Sequence, residues 1–349
     1  MHVLFIDVDC PEALDAGALG TRALGGTEST LFQVSEGLAR AGLRVTIAQH
    51  NRTSPRVTAA GVRYIPYQHR APLPADPPEV VVVLRNDKIL PCLRRRFPTA
   101  RLLLWMHCFP GRHWRHRIDG VLRTGANLVA VSHSLGDHLV EVMRPALPSW
   151  EARARVVMIP NPVSVTRLER RAAFDPDKLV FFSSPHKGLD EVLRHFAAAR
   201  SEFPGMQLHL ADPGYWKGSR SDFPEGVIAH GALTPAEVHR HVAEALCVFY
   251  PQTGFAETFG LVFAEANALG TPVLAHPLGA ASEVLEAGGP GQVADCSEPE
   301  FVVGTLRRWR EGGRPRVTAC PHYRPAAVIG RWMTLLTGSA TLAPPQNAA

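Results

Sequence analysis

The chain has 349 residues, a length that favours two domains because one hydrophobic core seldom organises so many residues. Its 46% hydrophobic and 20% charged residues exclude collagen-like, coiled-coil and disordered compositions and are typical of folded globular proteins. The formal charge of +5 favours anionic partners in general and selects none of them.

The first part of the chain alternates short apolar runs with helical patterns. Residues 27–41 carry apolar side chains at helical spacing, and residues 72–78 are proline-rich and predict an exposed connection. The apolar runs predict buried strands at residues 3–6, 44–48, 80–84, 102–106 and 128–131. This alternation indicates a parallel sheet with helices on both faces.

A second series of the same kind follows Pro160-Asn-Pro162, with strands predicted at residues 179–182, 207–210, 246–250 and 272–275. Thr234-Pro-Ala-Glu237 has the spacing of a capping box at a helix start. We expect domains at residues 1–165 and 166–325, a helix at 326–340 and a disordered tail at 341–349. Both domains are expected to be doubly wound Rossmann-like α/β units facing each other across a cleft, with the ligand at the carboxyl ends of the strands.

Targeting signals are not evident. No apolar run approaches the roughly 20 residues that span a bilayer, and residues 1–6 lead into acidic residues instead of a secretion signal. We expect a cytoplasmic protein with reduced cysteines. The basic stretch 112–117 is interpreted as a solvated surface or as a peripheral contact with an anionic inner membrane face, and nucleic acid is not expected as a partner.

Two carboxylates stand eight residues apart in the most informative stretch, residues 254–272. Glu257 is placed in the loop after the predicted strand 246–250, and Glu265 lies inside a helix that starts near Phe259 and ends at Gly270. A carboxylate at the mouth of such a loop can accept hydrogen bonds from sugar hydroxyls, and one further along can accept both hydroxyls of a ribose. The alternative is a buried helix with one satisfied and one solvated glutamate.

The start of that helix predicts an anion site. Backbone N–H groups of Phe259, Gly260 and Leu261 have no helical partner, and together with the helix dipole they would bind a phosphate or a sugar hydroxyl. Carboxylates and phosphate-binding N–H groups in one segment suit a nucleotide sugar.

This stretch resembles the Glu-x7-Glu motif of glycosyltransferase family 4, whose members have the GT-B fold. Glu257-Thr-Phe-Gly-Leu, Glu265-Ala, Gly270-Thr-Pro and Gly279-Ala with Glu283 follow the order and spacing of the family. The resemblance implies transfer with retention at the anomeric carbon, a nucleotide diphosphate sugar as donor, and no cofactor or divalent metal.

Two further segments fall where the family would place them. Gly25-Gly26 precede the first helix and would let the backbone approach the donor, although a plain turn explains them equally well. Ser183-Ser-Pro-His-Lys187-Gly188 resembles the diphosphate-binding loop, with Lys187 as its cation, and the alternative is a solvated lysine. Many family members carry an arginine five residues before this lysine, where this chain has Phe182.

His107 follows the predicted strand 102–106 and resembles the family's histidine near the transferred sugar. We expect a hydrogen-bonding role and not a titrating base, and a purely structural histidine is the alternative. Cys108, His113 and His116 are rejected as zinc ligands because the sequence has no second group of ligands to complete the site and because the basic stretch around them would repel a cation. No metal site is therefore predicted.

The sequence therefore predicts a retaining glycosyltransferase of the hexosyltransferase type. Its catalytic residues would be Glu257, His107 and Lys187, and its donor-binding residues would be Gly26, Lys187, Glu257, Phe259, Gly260, Leu261 and Glu265. The sequence does not identify the acceptor, which could be a glycan, a lipid-linked glycan or a small molecule. The reaction could belong to the biosynthesis of a polysaccharide, a lipopolysaccharide or another glycoconjugate. The alternatives are a sugar-nucleotide epimerase of the same fold and a non-catalytic homologue that binds nucleotide sugar or an anionic surface.

Overall fold

A computed structural model describes residues 1–10, 12–67, 76–166, 173–212 and 222–338. Their contacts divide the chain into two compact units. The first comprises Met1–Gly17, Thr27–Pro162 and the segment that begins at Pro325, and the second comprises Ala18–Gly26 and Val163–Arg324. The predicted tail at 341–349 and residues 72–75 of the predicted connection lie outside the described residues.

An eight-stranded sheet forms the centre of the first unit. Its strands, in chain order, are β1 (His2–Asp7), β2 (Arg44–Gln49), β3 (Arg56–Val57), β4 (Arg63–Pro66), β5 (Val80–Leu84), β6 (Arg101–Met106), β7 (Asn127–Ala130) and β8 (Val156–Met158). Their order across the sheet is β3-β4-β2-β1-β5-β6-β7-β8, with every pair parallel except β3 with β4. Strands β1 and β5 are buried along their whole length, as expected for a parallel sheet covered on both faces.

Five helices accompany this sheet between its strands: α1 (Gly26–Arg40), α2 (Leu90–Arg96), α3 (Ile118–Arg123), α4 (His133–Met143) and α5 (Ser149–Ala154). The predicted helix at residues 27–41 corresponds to α1. The hydroxyl of Ser132 accepts a hydrogen bond from the backbone N–H of Leu135 at 3.0 Å, so this serine caps the start of α4.

A five-stranded sheet forms the centre of the second unit. Its strands are β9 (Asp175–Phe181), β10 (Gln207–Asp212), β11 (Val227–Ala232), β12 (Ala245–Tyr250) and β13 (Val273–Ala275). All neighbours are parallel in the order β11-β10-β9-β12-β13. The carboxyl ends of the five strands therefore meet at one edge, where loops after neighbouring strands are adjacent.

The second unit contains the helices α6 (Leu189–Glu202), α7 (Pro235–Glu244), α8 (Leu261–Ala268), α9 (Ala281–Gly288) and α10 (Pro299–Gly312). The capping box predicted at Thr234 is confirmed, because its side chain accepts from the N–H of Glu237 while the Glu237 carboxylate accepts from the N–H of Thr234. It fixes the start of α7.

The last described helix, α11 (Pro325–Thr337), packs in the first unit. Trp332 is 0% exposed, with its ring centroid 4.7 Å from that of Trp105 and 6.3 Å from that of Phe5. A Cβ on Gly37 would lie 2.5 Å from Cδ1 of Ile329, so α1 and α11 approach closely at a glycine. In the described ranges no helix has both the length and the apolar character needed to cross a bilayer.

Candidate functional site

A lysine and a glutamate meet at the carboxyl edge of the second sheet. Lys187 follows β9 and Glu257 follows the neighbouring strand β12. Nζ of Lys187 lies 2.7 Å from Oε1 of Glu257, and the Tyr250 hydroxyl donates to the same oxygen at 2.9 Å. Their side chains are 24% and 9% exposed, so the ion pair is largely buried. Strand order thus joins two residues that are 70 positions apart in sequence.

Gln252 holds the loop that leads to Glu257. Its side-chain oxygen accepts from the backbone N–H groups of Gly254 and Phe255 at 3.0 and 2.7 Å, and its amide donates to the carbonyl of Phe255 at 2.7 Å. Gly188 has φ +93°, and a Cβ there would lie 2.7 Å from Cβ of Gln252. The lysine loop and the glutamate loop therefore pack together through a glycine.

Helix α6 supplies a second connection between these loops. The Glu191 carboxylate accepts hydrogen bonds from the backbone N–H and the hydroxyl of Thr253, both at 2.8 Å. Because α6 starts directly after Gly188, this contact ties the segment after Lys187 to the segment before Glu257. Sequence analysis missed Glu191, Gln252 and Tyr250, which act by positioning and belong to no recognisable spacing.

The backbone of Glu257 is fixed from its other side. Its carbonyl accepts from the N–H of Ala280 at 2.9 Å. Gly279 has φ +63°, and a Cβ at this position would lie 2.5 Å from the Glu257 carbonyl oxygen. Only a residue without a side chain permits this approach, which explains the glycine of the Gly279-Ala pair.

Helix α8 begins at Leu261, two residues later than predicted. Gly260 adopts left-handed backbone angles of φ 78° and ψ 67°, which an α-helix cannot contain, so the helix starts after it. No side chain among the described residues caps this start, and its first N–H groups are available to an anion. Phe259 is buried with its ring 5.0 Å from that of Tyr323 and therefore anchors the loop through its side chain.

Gly26 lies beside the same helix start. Its contacts place it in the second unit, where a Cβ added to this glycine would lie 3.0 Å from Cδ1 of Leu261. The structure therefore brings Gly26, Gly260 and Leu261 together, in the same unit as the Lys187–Glu257 pair.

Glu265 lies on α8 and is half-buried. Burial raises its pKa to about 7, because a carboxylate loses hydration in such surroundings. Glu257 and Glu265 thus occupy different environments, Glu257 in an ion pair and Glu265 in a poorly hydrated position on the helix.

His107 belongs to the first unit and follows β6. Its ring centroid lies 4.6 Å from that of Trp105, and burial together with the charge of Arg85 lowers its pKa to about 3. An imidazole with this pKa is neutral at pH 7, which suits hydrogen bonding and not acid–base titration.

Three charged residues of the first unit form a cluster that sequence analysis missed. Nη2 of Arg85 lies 3.6 Å from Oδ1 of Asp7 and 3.5 Å from Oε1 of Glu28. Asp7 is 0% exposed, and its burial raises its pKa to about 6. Arg85 has φ 58°, a left-handed conformation that is costly for a side-chain-bearing residue and is concentrated at functional sites. The sequence could have indicated this cluster, because Asp7 ends β1 and Arg85 directly follows the neighbouring parallel strand β5.

Part of the chain matches a known family. Residues 169–318 match the model of the family described as glycosyl transferases group 1. The chain is 32% identical over 145 residues to the D-inositol 3-phosphate glycosyltransferase of Nocardioides sp. (strain ATCC BAA-499 / JS614), a match that covers 36% of this chain and 31% of that relative. The chain thus spans about a third of the length of this relative.

Solved structures resemble the chain over nearly its whole length. Sucrose-phosphate synthase from Thermosynechococcus elongatus has a TM-score of 0.68 and 17% identity, with 97% of this chain and 100% of that chain covered. HepE from Anabaena, solved in complex with UDP and glucose, has a TM-score of 0.61 and 14% identity, with 97% and 100% covered. At these identities the likeness shows the fold alone. The chain has the GT-B fold, built from two parallel-sheet α/β domains, and within it residues 169–318 match the group 1 glycosyl transferases.

Proposed function

We propose that the chain is a retaining glycosyltransferase of family 4 that transfers a hexosyl group from a nucleotide diphosphate sugar to an acceptor hydroxyl. The observation that carries the proposal is the Lys187–Glu257 ion pair, in the same second unit as the uncapped start of α8 and within the segment that matches the family model. A cation, a carboxylate and free helix N–H groups are the three kinds of group that a nucleotide diphosphate sugar needs.

Each group has a distinct role toward the donor. An ammonium has three N–H donors, so Lys187 can bind a phosphate oxygen while it donates to Glu257. The hydrogen bonds that the Glu257 carboxylate accepts from Lys187 and Tyr250 both fall on Oε1, and its Oε2 is assigned to a sugar hydroxyl. Glu265 is assigned to the ribose hydroxyls, and the N–H groups at Gly260 and Leu261 to the diphosphate.

The reaction breaks the bond between the anomeric carbon and a diphosphate oxygen and forms a bond from the same carbon to the acceptor oxygen, on the same face of the sugar. The acceptor proton passes to the departing diphosphate oxygen. No covalent sugar–enzyme intermediate and no metal enter this proposal. Catalysis would consist mainly of positioning and of stabilising the developing charge, with Lys187 as the cation and His107 as a neutral hydrogen-bonding partner of the sugar.

The Asp7, Glu28 and Arg85 cluster is proposed as part of the acceptor side. In this proposal the Arg85 guanidinium binds an anionic group of the acceptor and the Glu28 carboxylate accepts from its hydroxyls, while the fully buried Asp7 holds Arg85 in place. The chemical class of the acceptor stays open among glycans, lipid-linked glycans and small molecules. A cytoplasmic location, with the basic stretch 112–117 at an anionic membrane surface, belongs to the same proposal.

The test of the donor site is Lys187→Ala, with Lys88→Ala as a matched control because Lys88 is exposed in the first unit. We expect Lys187→Ala to lower donor turnover by at least about 100-fold, the scale of losing one stabilising group of a developing charge. Lys88→Ala should leave turnover unchanged. Unaltered turnover in Lys187→Ala would reject the site.

A panel of nucleotide sugars separates the proposed function from its alternatives. Slow donor hydrolysis and thermal stabilisation are followed for wild type and Glu265→Ala, since a ligand of the native state raises its stability. An epimerase would convert the sugar without releasing it from the nucleotide. A non-catalytic homologue that binds nucleotide sugar would be stabilised by the donor without any turnover. If no donor of the panel stabilises the protein, the alternative of a homologue that binds an anionic surface takes the lead.

A further inference from the structure

Three histidines that the proposed function does not use converge in the second unit. His209 is on β10, His230 is on β11 and His241 is on α7. One ring nitrogen from each lies within 4.8 Å of the other two. We call these three residues the histidine cluster. Among the residues that the structure describes, it is the group of three potential metal-ligating side chains whose ligand atoms lie this close together.

The order of the strands creates the cluster. Strands β10 and β11 are parallel neighbours in which His209 is opposite Ile228. His230 is two residues after Ile228, and because side chains alternate along a strand, both histidines point to the same face of the sheet. Helix α7 contributes the third ring, whose centroid lies 4.3 Å from that of His230 and 5.6 Å from that of His209.

The distances between the rings approach those of a metal site. Nδ1 of His209 and Nε2 of His230 are 2.8 Å apart and share a hydrogen bond, which a bound ion would replace. Two imidazole nitrogens bound tetrahedrally to Zn²⁺, each at about 2.1 Å, are separated by about 3.4 Å. Because the ring nitrogens lie within 4.8 Å of one another, changes in their separations of up to about 1.4 Å convert this arrangement into a trigonal set of ligands. A fourth position would be left for water, as in three-histidine zinc sites.

Buried nitrogens in the cluster lack partners. Nδ1 of His241 makes no hydrogen bond to any of the described residues, although it is shielded from solvent. Nε2 of His209 has no partner there either, but it points away from Nδ1, the nitrogen that faces His230, and would not bind the same ion. His230 and His241 are partly exposed as residues, which provides a route for an ion. Polar atoms in such positions normally have a hydrogen bond or a ligand, because their desolvation is otherwise uncompensated.

The electrostatic surroundings keep the three imidazoles in the form that binds metal. Burial, with smaller contributions from Lys178 and from the neighbouring histidines, lowers the pKa of His209 and of His241 to about 4. Burial also lowers the pKa of His230. The charge of Lys178 is itself balanced by Glu244, whose Oε2 lies 2.7 Å from its Nζ. Neutral imidazoles offer lone pairs to a cation at pH 7.

We propose that His209, His230 and His241 form a binding site for one divalent transition-metal ion, with Zn²⁺ as the ion that the three imidazole ligands fit best. The site joins β10, β11 and α7, so an ion there would cross-link the edge of the second sheet to a helix. Phe182, the residue after β9, contacts the cluster through His241 at a ring centroid distance of 5.9 Å. The ion would thus also support the beginning of the loop that carries Lys187.

The experiment titrates metal-free, tag-free protein with Co²⁺ and with Zn²⁺. We expect one Co²⁺ per chain, with the visible absorption of tetrahedral cobalt, and its displacement by Zn²⁺. Free Zn²⁺ at about 100 times its Kd should raise the unfolding midpoint by about 5 °C, because the ion binds the native state. The variants His230→Ala and His241→Ala should each weaken binding by more than about 100-fold, since loss of a ligand exceeds the effect of an outer partner.

His322→Ala is the matched control, because His322 is an exposed histidine of the same unit and should leave the affinity unchanged. If a cluster variant fails to fold, wild type still decides: Zn²⁺ should protect the cluster histidines, but not His322, from diethyl pyrocarbonate. Absence of stoichiometric binding by wild type, or wild-type affinity in both folded variants, would overturn the proposal. Lys187→Ala should bind Co²⁺ normally, so the outcome is independent of the proposed glycosyl transfer.

Discussion

At the scale of single residues, Glu265 is a carboxyl group of the second unit whose protonation changes near neutral pH. Burial raises its pKa to about 7 from an ordinary value of 4.5. Protonation therefore favours the folded protein: this contribution to stability is complete below pH 4.5 and is lost as the pH rises through about 7. Binding of ribose hydroxyls has the opposite sign, because the ionised carboxylate is the stronger acceptor.

We therefore predict that nucleotide affinity increases with pH, by about tenfold between pH 6 and pH 8, as Glu265 ionises. Isothermal titration calorimetry with the donor nucleotide measures the effect. Glu265→Gln should bind with little dependence on pH, whereas Glu286→Gln, an exposed carboxylate of α9, should keep the wild-type profile. A pH-dependent profile that survives in Glu265→Gln would assign the titration to another group.

The glycines of the site show what a single residue in a sequence can and cannot reveal. Gly188 and Gly279 have positive φ, a Cβ on them would lie 2.7 and 2.5 Å from a neighbouring atom, and both stand in segments that the family resemblance singled out. The resemblance singled out these glycines but not the reason for them, because Gly188 packs against Gln252 and Gly279 against the Glu257 carbonyl, and both partners are distant in sequence. The Lys187–Glu257 ion pair was not predicted for the same reason, because its two residues are 70 positions apart in sequence.

At the scale of elements, a buried amide network fastens α8 to its surroundings. Gln292 is 1% exposed and accepts from Asn267 at 2.8 Å and from the N–H of Val273 at 2.9 Å. Its amide donates to Asn267 and to the carbonyls of Leu285 and Gly289. The network joins α8, α9 and β13, and so keeps the helix start that would bind the diphosphate in a fixed orientation.

Gln292→Ala is predicted to lower the free energy of unfolding by about 3 kcal/mol, because several buried polar groups lose their partners at once. Gln207→Ala, an exposed glutamine of β10, should change it by less than about 0.5 kcal/mol. Urea unfolding followed by circular dichroism measures both. Equal small effects in the two variants would mean that the network contributes little to stability.

Most of the strands were predictable, and the exceptions have physical reasons. Buried parallel strands such as β5 and β12 are continuous apolar runs, which the sequence shows directly. Strands β3, β4, β8 and β11 were missed because they lie at or next to an edge of their sheets and are short or mostly incompletely buried, so none of them forms a long apolar run. The histidine cluster was invisible for a related reason, since its members meet only once β10 and β11 are paired.

At the scale of the whole molecule, the final described helix completes the core of the first unit. Trp332 packs against Phe5 of β1 and Trp105 of β6. The sequence predicted a helix here but not its unit, because an amphipathic pattern does not specify which sheet it covers. Its partners are more than 200 residues away in the chain.

Trp332→Ala is predicted to destabilise the first unit by about 4 kcal/mol, the cost typical of removing a buried aromatic side chain. Thr334→Ala, an exposed position on the same helix, serves as control. Hydrogen exchange read by peptide is the measurement, because it reports faster exchange in β1, β5 and β6 separately from the second unit. Uniform acceleration across both units would show that they do not unfold separately.

The path of the chain between the two units limits how this protein can be divided. The backbone passes from one unit to the other four times, at residues 17/18, 26/27, 162/163 and 324/325. A gene fragment that stops at Pro162 would encode the first sheet without α11 and leave Phe5 and Trp105 uncovered. A fragment that starts at Val163 would lack Gly26 from beside Leu261. To express the first unit separately, Pro325–Thr337 must be rejoined to residue 162 by a linker. If the chain is instead divided after residue 162 and encoded on two plasmids, its two halves must associate to reconstitute the protein.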